Sequence, residues 1–232
     1  HTVINITEVW HDENDQDGIR PRKMIAIVVG SNGNRHEVPL HSSGDWHYTC
    51  DDLVKYWKNG QLVDYTVEAV TIDGYTSEVK SLGNNVFEVH NTHIPETISK
   101  TVTKTWKDNE NQDGIRPASV TVTLTGSNAV SKTATLNEDN GWTATFENLP
   151  KRDHGNIVAY NVKESDTAGY EASVVKTEDG FQLINEHDSE TTMRTVTLVW
   201  RDEDNRDGVR PDAVTYTLHG SDGSEQEKTV NK

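Results

Sequence analysis

The sequence is poor in the residues that mark disulfide-built, membrane-bound or nucleic-acid-binding proteins. It has one cysteine, Cys50, which excludes an intrachain disulfide. Cys50 lies four residues after Trp46, as Phe146 lies four after Trp142. It therefore reads as a small buried hydrophobe, not as a reactive thiol. No apolar run approaches the length of a membrane span, and no signal peptide stands at the start. Positive charge is scarce: 22 Lys and Arg against 38 Asp and Glu leave a net charge of −16. Such a surface repels phosphate backbones and anionic lipid, which excludes nucleic acid and membrane surfaces as partners. Hydrophobic residues make up 32% and aromatics 7%, too few for one large core. The regular placing of Trp, Tyr and Phe argues instead for several small cores, each in need of extra stabilisation.

What the sequence does contain is a repeat. Thr101-Val-Thr-Lys-Thr-Trp-Lys-Asp-Asn-Glu-Asn-Gln-Asp-Gly-Ile-Arg-Pro117 has a β-type run, an Asx-rich turn and a Gly-x-Arg-Pro exit. The pattern recurs over residues 7–21 and 197–211, with tryptophans at 10, 106 and 200, spaced by 96 and then 94 residues. A period near a hundred residues is a whole small domain, not a solenoid unit. The expected organisation is one domain at 1–94, a second at 97–188 and a partial third at 192–232. The linkers His93–Thr97 and Asp188–Thr192 are short enough to favour a rod over loosely tethered beads.

Period-two alternation, Thr and Val enrichment and Gly, Asn or Asp between the runs mark each complete copy as about seven short strands. The expected fold class is all-β, a tandem of Greek-key β-sandwiches of the immunoglobulin or prealbumin type. The segment Asp51–Gly60 has room for one helical turn. The third copy offers a first strand at Arg194–Trp200, a second at Ala213–Leu218 and a weak third near Glu227–Val230. With about three strands it would leave an unfinished sheet edge.

Side chains two apart on a strand share a face. Val102, Lys104 and Trp106 therefore share a face, and the matching row in copy three, Val196, Leu198 and Trp200, is wholly apolar. Lys104 is thus a lysine at a core position. By the same parity Glu164 sits with Tyr160 and Val162, and Asn185 with Phe181 and Leu183. Three inward polar side chains on three strands are costly unless they meet. If they meet, desolvation lowers the lysine pKa and raises that of the acid. A neutral Lys104 amine could attack the Asn185 carboxamide with Glu164 assisting, leaving an amide cross-link and releasing ammonia. The other reading is a buried Lys–Glu ion pair hydrogen-bonded to Asn185.

The pieces in copy two are Lys104/Trp106, Gly114/Arg116/Pro117, Gly141/Trp142, Leu149/Pro150, Tyr160/Val162/Glu164 and Ile184/Asn185. In this order they resemble the Cna B-type (collagen-adhesin B-repeat) domains of Gram-positive surface adhesins and pilins. The resemblance covers essentially the whole chain. It implies a self-formed isopeptide bond between Lys104 and Asn185, assisted by Glu164. It also implies a secreted, wall-anchored location, although neither a leader nor a sorting signal stands within these residues. Copy one departs from the pattern, with Glu8 at the lysine position and Ala69 at the acid position. Only Asn91 remains, so no bond can form there, and Glu8 is expected to hydrogen-bond Asn91. Copy three has Leu198 and no last strand.

Other signals are weaker. The turn Asp12–Gly18 suggests calcium only superficially, because Met24 stands where a bidentate Glu is needed; a turn that satisfies its own backbone fits better. His90-Asn-Thr-His93 lacks a third ligand and reads as solvated linker. No metal, cofactor or catalytic constellation is expected. The functional expectation is a non-enzymatic stalk segment whose partners are adjacent repeats, with any host matrix protein held by another domain. The alternative is a binding module for a host matrix protein or glycan, for which the aromatic pair Tyr56 and Trp57 is the best support.

Overall fold

The computed structural model describes residues 1–231 and divides into two compact units, His1–Ser189 and the residues from Glu190 onward. The first unit contains two β-sandwiches. Copy one is built from β1 (Thr2–His11), β2 (Lys23–Gly30), β3 (Arg35–His41), β4 (His47–Leu53), β5 (Tyr65–Ala69), β6 (Thr76–Gly83) and β7 (Val86–Thr92). Its sheets are β4-β1-β7-β6 and β3-β2-β5. Copy two follows with β8 (Thr97–Lys107), β9 (Ser119–Gly126), β10 (Ser131–Asn137), β11 (Thr143–Pro150), the short β12 (Arg152–Asp153) and β13 (Asn156–Ile157), β14 (Tyr160–Glu164), β15 (Glu171–Lys176) and β16 (Gly180–Glu186). Its sheets are β11-β8-β16-β15 and β10-β9-β14, with β12 and β13 forming a separate hairpin. All pairings are antiparallel except one in each copy: the first strand lies parallel to the last, β1 with β7 and β8 with β16.

The alternation read from the sequence is the alternation of burial. Ile4, Ile6 and Glu8 point inward from β1, as Val102 and Lys104 do from β8. Each core is thin. Copy two is filled by Val102, Val122, Leu124, Leu136, Phe146, Leu149, Val158, Tyr160, Phe181 and Leu183. Cys50 is buried in the core of copy one, where burial pushes its thiol up, as expected for a packing residue.

A polar corner closes one end of each sandwich. Asp108 accepts the Asn111 amide at 3.1 Å, the Arg116 Nε at 2.9 Å and Nη2 at 2.5 Å, and the Tyr170 hydroxyl at 2.8 Å. The Asn111 side chain in turn accepts the Arg116 amide at 2.9 Å. These bonds, led by that from Arg116, hold the Asp108 carboxyl down at about 2. Asp12, Arg20 and Tyr75 repeat the arrangement in copy one. There burial alone would raise Asp12, but the bonds from Arg20 and Tyr75 outweigh it. Asp12 and Asp108 thus turn their carboxylates to their own turn's backbone, one arginine and one tyrosine.

The joint between the two sandwiches is a backbone contact. A Cβ on Gly18, at φ +69°, would meet the Gly155 Cα at 2.5 Å, and Gly155 (φ +81°) donates its amide to Gln16 C=O at 3.2 Å. Only glycine combines this left-handed backbone with that approach. Asp17, buried beside it, accepts the Glu96 amide at 2.9 Å and His93 Nε2 at 2.9 Å. His93 Nδ1 lies 2.8 Å from Gly74 C=O, so both ring nitrogens face acceptors and the imidazole fits as the doubly protonated cation. The bond to Asp17 accordingly raises the His93 pKa. His93 is therefore not the solvated linker residue expected from the sequence. The hairpin Arg152–Ile157 that receives the turn was not anticipated, and β8 starts at Thr97, four residues earlier than its apolar pattern suggests.

In the second unit β17 (Ala213–His219) and β18 (Glu225–Asn231) pair antiparallel. The Asx turn recurs, with Arg210 Nε on Asp202 at 2.9 Å. The strand expected at Arg194–Trp200 is not formed. In the complete copies the first strand is held between an antiparallel and a parallel neighbour, and residues 201–231 supply neither. The single helical turn expected within Asp51–Gly60 is a short 3-10 turn at Lys58–Gly60, at the tip of a hairpin bridged by Tyr56 and Leu62.

Candidate functional site: a buried lysine–glutamate–asparagine cluster

Lys104 and Asn185 stand on β8 and β16, which run parallel in one sheet with Leu183 opposite Lys104 and Asn185 opposite Trp106. Glu164 ends β14 in the facing sheet, where it pairs with Val122 of β9. The three side chains meet in the space between the sheets. Glu164 Oε2 lies 2.6 Å from Lys104 Nζ, and Glu164 Oε1 accepts the Asn185 Nδ2 at 2.6 Å. The Lys104 side chain is 0% exposed and that of Glu164 7%; Asn185 is fully buried. Trp106 lies beneath the ammonium, its ring centroid 4.5 Å from Nζ. Trp142 caps the end, edge-on to Trp106 at 5.1 Å, and its carbonyl accepts the Lys104 amide at 2.8 Å.

Two features make the cluster chemically unusual. Burial pushes the Lys104 amine below its ordinary value, outweighing the carboxylate beside it, which favours the neutral, nucleophilic form. The Asn185 Oδ1 is buried with no hydrogen-bond partner. An orphaned carbonyl oxygen in a closed site is costly and invites a proton donor. All three residues singled out from the sequence are brought together.

Copy one carries the same frame with different contents. Glu8 of β1 takes the lysine position and accepts the Asn91 Nδ2 at 2.5 Å, as expected. Asn91 Oδ1 is satisfied by the Ser77 hydroxyl at 2.5 Å. Burial pushes Glu8 up to about 7, against the lowering effect of Asn91. Ala69 stands at the acid position, and Glu68 faces outward to Arg35. Ser77 was not singled out in the sequence. It shares the inward face of β6 with Val79, just after the buried Tyr75 that precedes the strand, and its counterpart opposite Asn185 is Ala172. The parity test that found Lys104 applies to it equally. Among the described residues no group of three or more His, Cys, Asp or Glu could hold a metal ion.

The fold, the Gly-x-Arg-Pro corner and the buried cluster together define a class, and comparison with known proteins agrees. The family model for the Cna protein B-type domain matches residues 4–92 and again 100–186. The chain belongs to the Cna B-type domain family. It is 36% identical over 220 residues to a collagen adhesin of Staphylococcus aureus, an alignment that takes in 94% of this chain but 18% of that protein. The chain thus spans about a fifth of its curated relative. Among solved structures it resembles two B repeat units of the collagen-binding protein of Staphylococcus aureus, with a TM-score of 0.72 and 31% identity over 99% of this chain and 61% of that one. A single B repeat unit of the same protein is 34% identical over 80% of this chain and 98% of that one, with a TM-score of 0.38.

Proposed function

We propose that the chain is a load-bearing stalk segment of a Gram-positive surface protein, tied in its second domain by an amide bond between Lys104 and Asn185. The observation that carries this reading is the single carboxylate of Glu164 gripping both reactants at 2.6 Å in a site closed to water. Glu164 takes a proton from the Lys104 ammonium, leaving a neutral amine. With the Asn185 carboxamide turned over, so that Oδ1 replaces Nδ2 beside the carboxyl, protonated Glu164 donates to Oδ1, the atom that now lacks a partner, and polarises the carboxamide. Nζ bonds to Cγ and the bond from Cγ to Nδ2 breaks; of the two protons that Nζ gives up, one passes through Glu164 to Nδ2, which leaves as ammonia, and the other stays on Glu164. No external reagent is consumed and the protein turns over once.

A bond between the first and last strands suits a stalk. Both strands carry the chain's entry and exit, so tension passes from β8 to β16 without unzipping the sheets. The extracellular surface is the setting implied by relatives that are surface adhesins. Any grip on host matrix, as the name of the collagen adhesin suggests for that protein, falls to a domain outside these residues. Intact mass tests the bond. The folded chain should weigh one ammonia less than its sequence, with Lys104 and Asn185 in one branched proteolytic peptide. Lys104→Ala and Asn185→Ala should each abolish the loss, and Glu164→Ala should largely do so. An unchanged mass in the folded wild type would establish the ion pair as the final state.

A further inference from the structure

We propose that the hairpin Tyr56–Leu62 of copy one is a docking surface for the acidic Asp-Gly turn of another domain of this build. The internal repeat shows how such a turn docks. In copy two the segment between β11 and β14 folds into the hairpin Arg152–Ile157, and that hairpin seats the turn Gln16–Gly18 of copy one. The segment between β4 and β5 is its counterpart. Val63 N–H donates to Lys55 C=O at 3.1 Å as Val158 N–H donates to Lys151 C=O at 3.0 Å. The Tyr65 hydroxyl donates to Val54 C=O as that of Tyr160 does to Pro150 C=O, both at 2.8 Å. Counted forward, this puts Lys55 at the place of Lys151 and Tyr56 at that of Arg152; counted back from Val63 it puts Gly60 at that of Gly155, the copy-one tip being one residue longer.

The counterpart surface is open and complementary. Tyr56 is 58% exposed, Trp57 41% and Leu62 53%, an apolar patch that a monomeric surface seldom leaves bare. Lys55 and Lys58 place their ammonium groups 5.5 Å above the Tyr56 and Trp57 rings, and neither makes an ion pair among the described residues. A basic, aromatic tip on a chain of net charge −16 fits an acidic partner. Asp-Glu-Asn-Asp-Gln-Asp-Gly at 12–18 is such a partner, and Asp-Gly recurs at 113–114 and 207–208. Gly60, at φ +74° with nothing within 4 Å of a Cβ, leaves room for the backbone approach seen at Gly155. Tyr56 and Trp57 are thereby assigned to contact between domains, not to a glycan. Docking there does not depend on the cross-link, so its failure and that of the mass measurement are separable.

The test joins an added copy of residues 1–96 directly before His1 of the full chain. Thr2 pairs with Leu53 as Ile98 pairs with Leu149, so His1 stands where Thr97 stands and the added turn arrives in the register of the existing joint. Amide exchange over Tyr56–Leu62 should slow at least tenfold relative to the unextended chain. The pair Lys55→Glu/Lys58→Glu should cancel the protection. So should Gly60→Asn, because asparagine tolerates the left-handed backbone but blocks the approach. As a second arm, the unextended chain at millimolar concentration should show concentration-dependent amide shifts in this hairpin and in an Asp-Gly turn, both absent in the charge-reversed pair. Unchanged exchange with the added copy folded, as judged from its own β1 and β2, would overturn the proposal. So would flat shifts in the second arm, or hairpin shifts produced by a soluble glycan and not by the added domain.

Discussion

Copies one and two share a strand order, a corner and a joint, yet differ in what they bury between β1 or β8 and the facing sheet. Copy two holds a lysine, an acid and an amide whose oxygen has no partner. Copy one holds an acid and an amide whose oxygen is capped by Ser77. The first is the arrangement proposed to react: its amine is desolvated and its amide oxygen is unsatisfied. The second is at rest, because it has no amine and the carbonyl is already bonded. The frame is therefore permissive. It brings the first and last strands together in either case, and three side chains set what that contact holds.

The largest expected effect separates the two copies under load. A tie between residues 104 and 185 closes 81 residues of chain, which by loop entropy stabilises by about 4.5 kcal/mol. Asn185→Ala should therefore lower the stability of copy two by about that amount or more. In single-molecule stretching, wild-type copy two should stay closed while copy one extends; full extension of copy two with copy one still folded would reverse the comparison. Nearly as large is the converse transfer. Glu8→Lys with Ala69→Glu and Ser77→Ala rebuilds the reactive arrangement around Asn91 and should remove a second ammonia from the intact mass. Copy one should then gain about 4 kcal/mol. A stable triple variant with an unchanged mass would show that the frame of copy one differs in more than these residues.

A smaller effect concerns pH. Burial lifts Glu8 from its ordinary 4.5 to about 7, so folded copy one keeps a proton that the unfolded chain has already released. Stability from this group is full below pH 4.5 and is lost as pH rises through 7. Glu8→Gln should be nearly neutral at pH 4.5 and stabilising by about 3 kcal/mol at pH 8, read by denaturant unfolding of copy one. An equal effect at both pH values would mean that Glu8 is ionised throughout. The smallest effect should be common to both copies. Tyr75→Phe and Tyr170→Phe each remove one hydroxyl from the corner aspartate and should cost about 1–2 kcal/mol apiece. A marked inequality between them, followed by amide exchange in each copy, would show that the proposed cross-link reaches the corner.

Much of this was legible in the sequence because the evidence is local and periodic. Spacing of the tryptophans set the domain unit, alternation set the strands, and parity alone put Lys104, Glu164 and Asn185 inside. Parity cannot say that side chains touch. That required β8 and β16 to lie parallel in one sheet and β14 to close over them from the other, which are facts of sheet order. Ser77 was open to the same test and passed over, since a serine on a strand carries little signal until its neighbour across the ladder is known. The failure at Arg194–Trp200 has the same root. Its alternation is as regular as that of β1, but a strand is made by its neighbours, and the residues described after it supply none.

By itself the sequence determined the repeat, the all-β class, the three inward polar residues of copy two and their replacement in copy one. These follow from composition and period, which act along the chain. Tertiary structure alone decided that Asn185 Oδ1 is left without a partner while Asn91 Oδ1 is capped, and that His93 is a joint residue held between Gly74 and Asp17. It also decided that Gly18 and Gly155 meet backbone to backbone. Each of these is a contact between residues tens of positions apart, and its energy depends on distance and desolvation, which exist only once the sheets have closed.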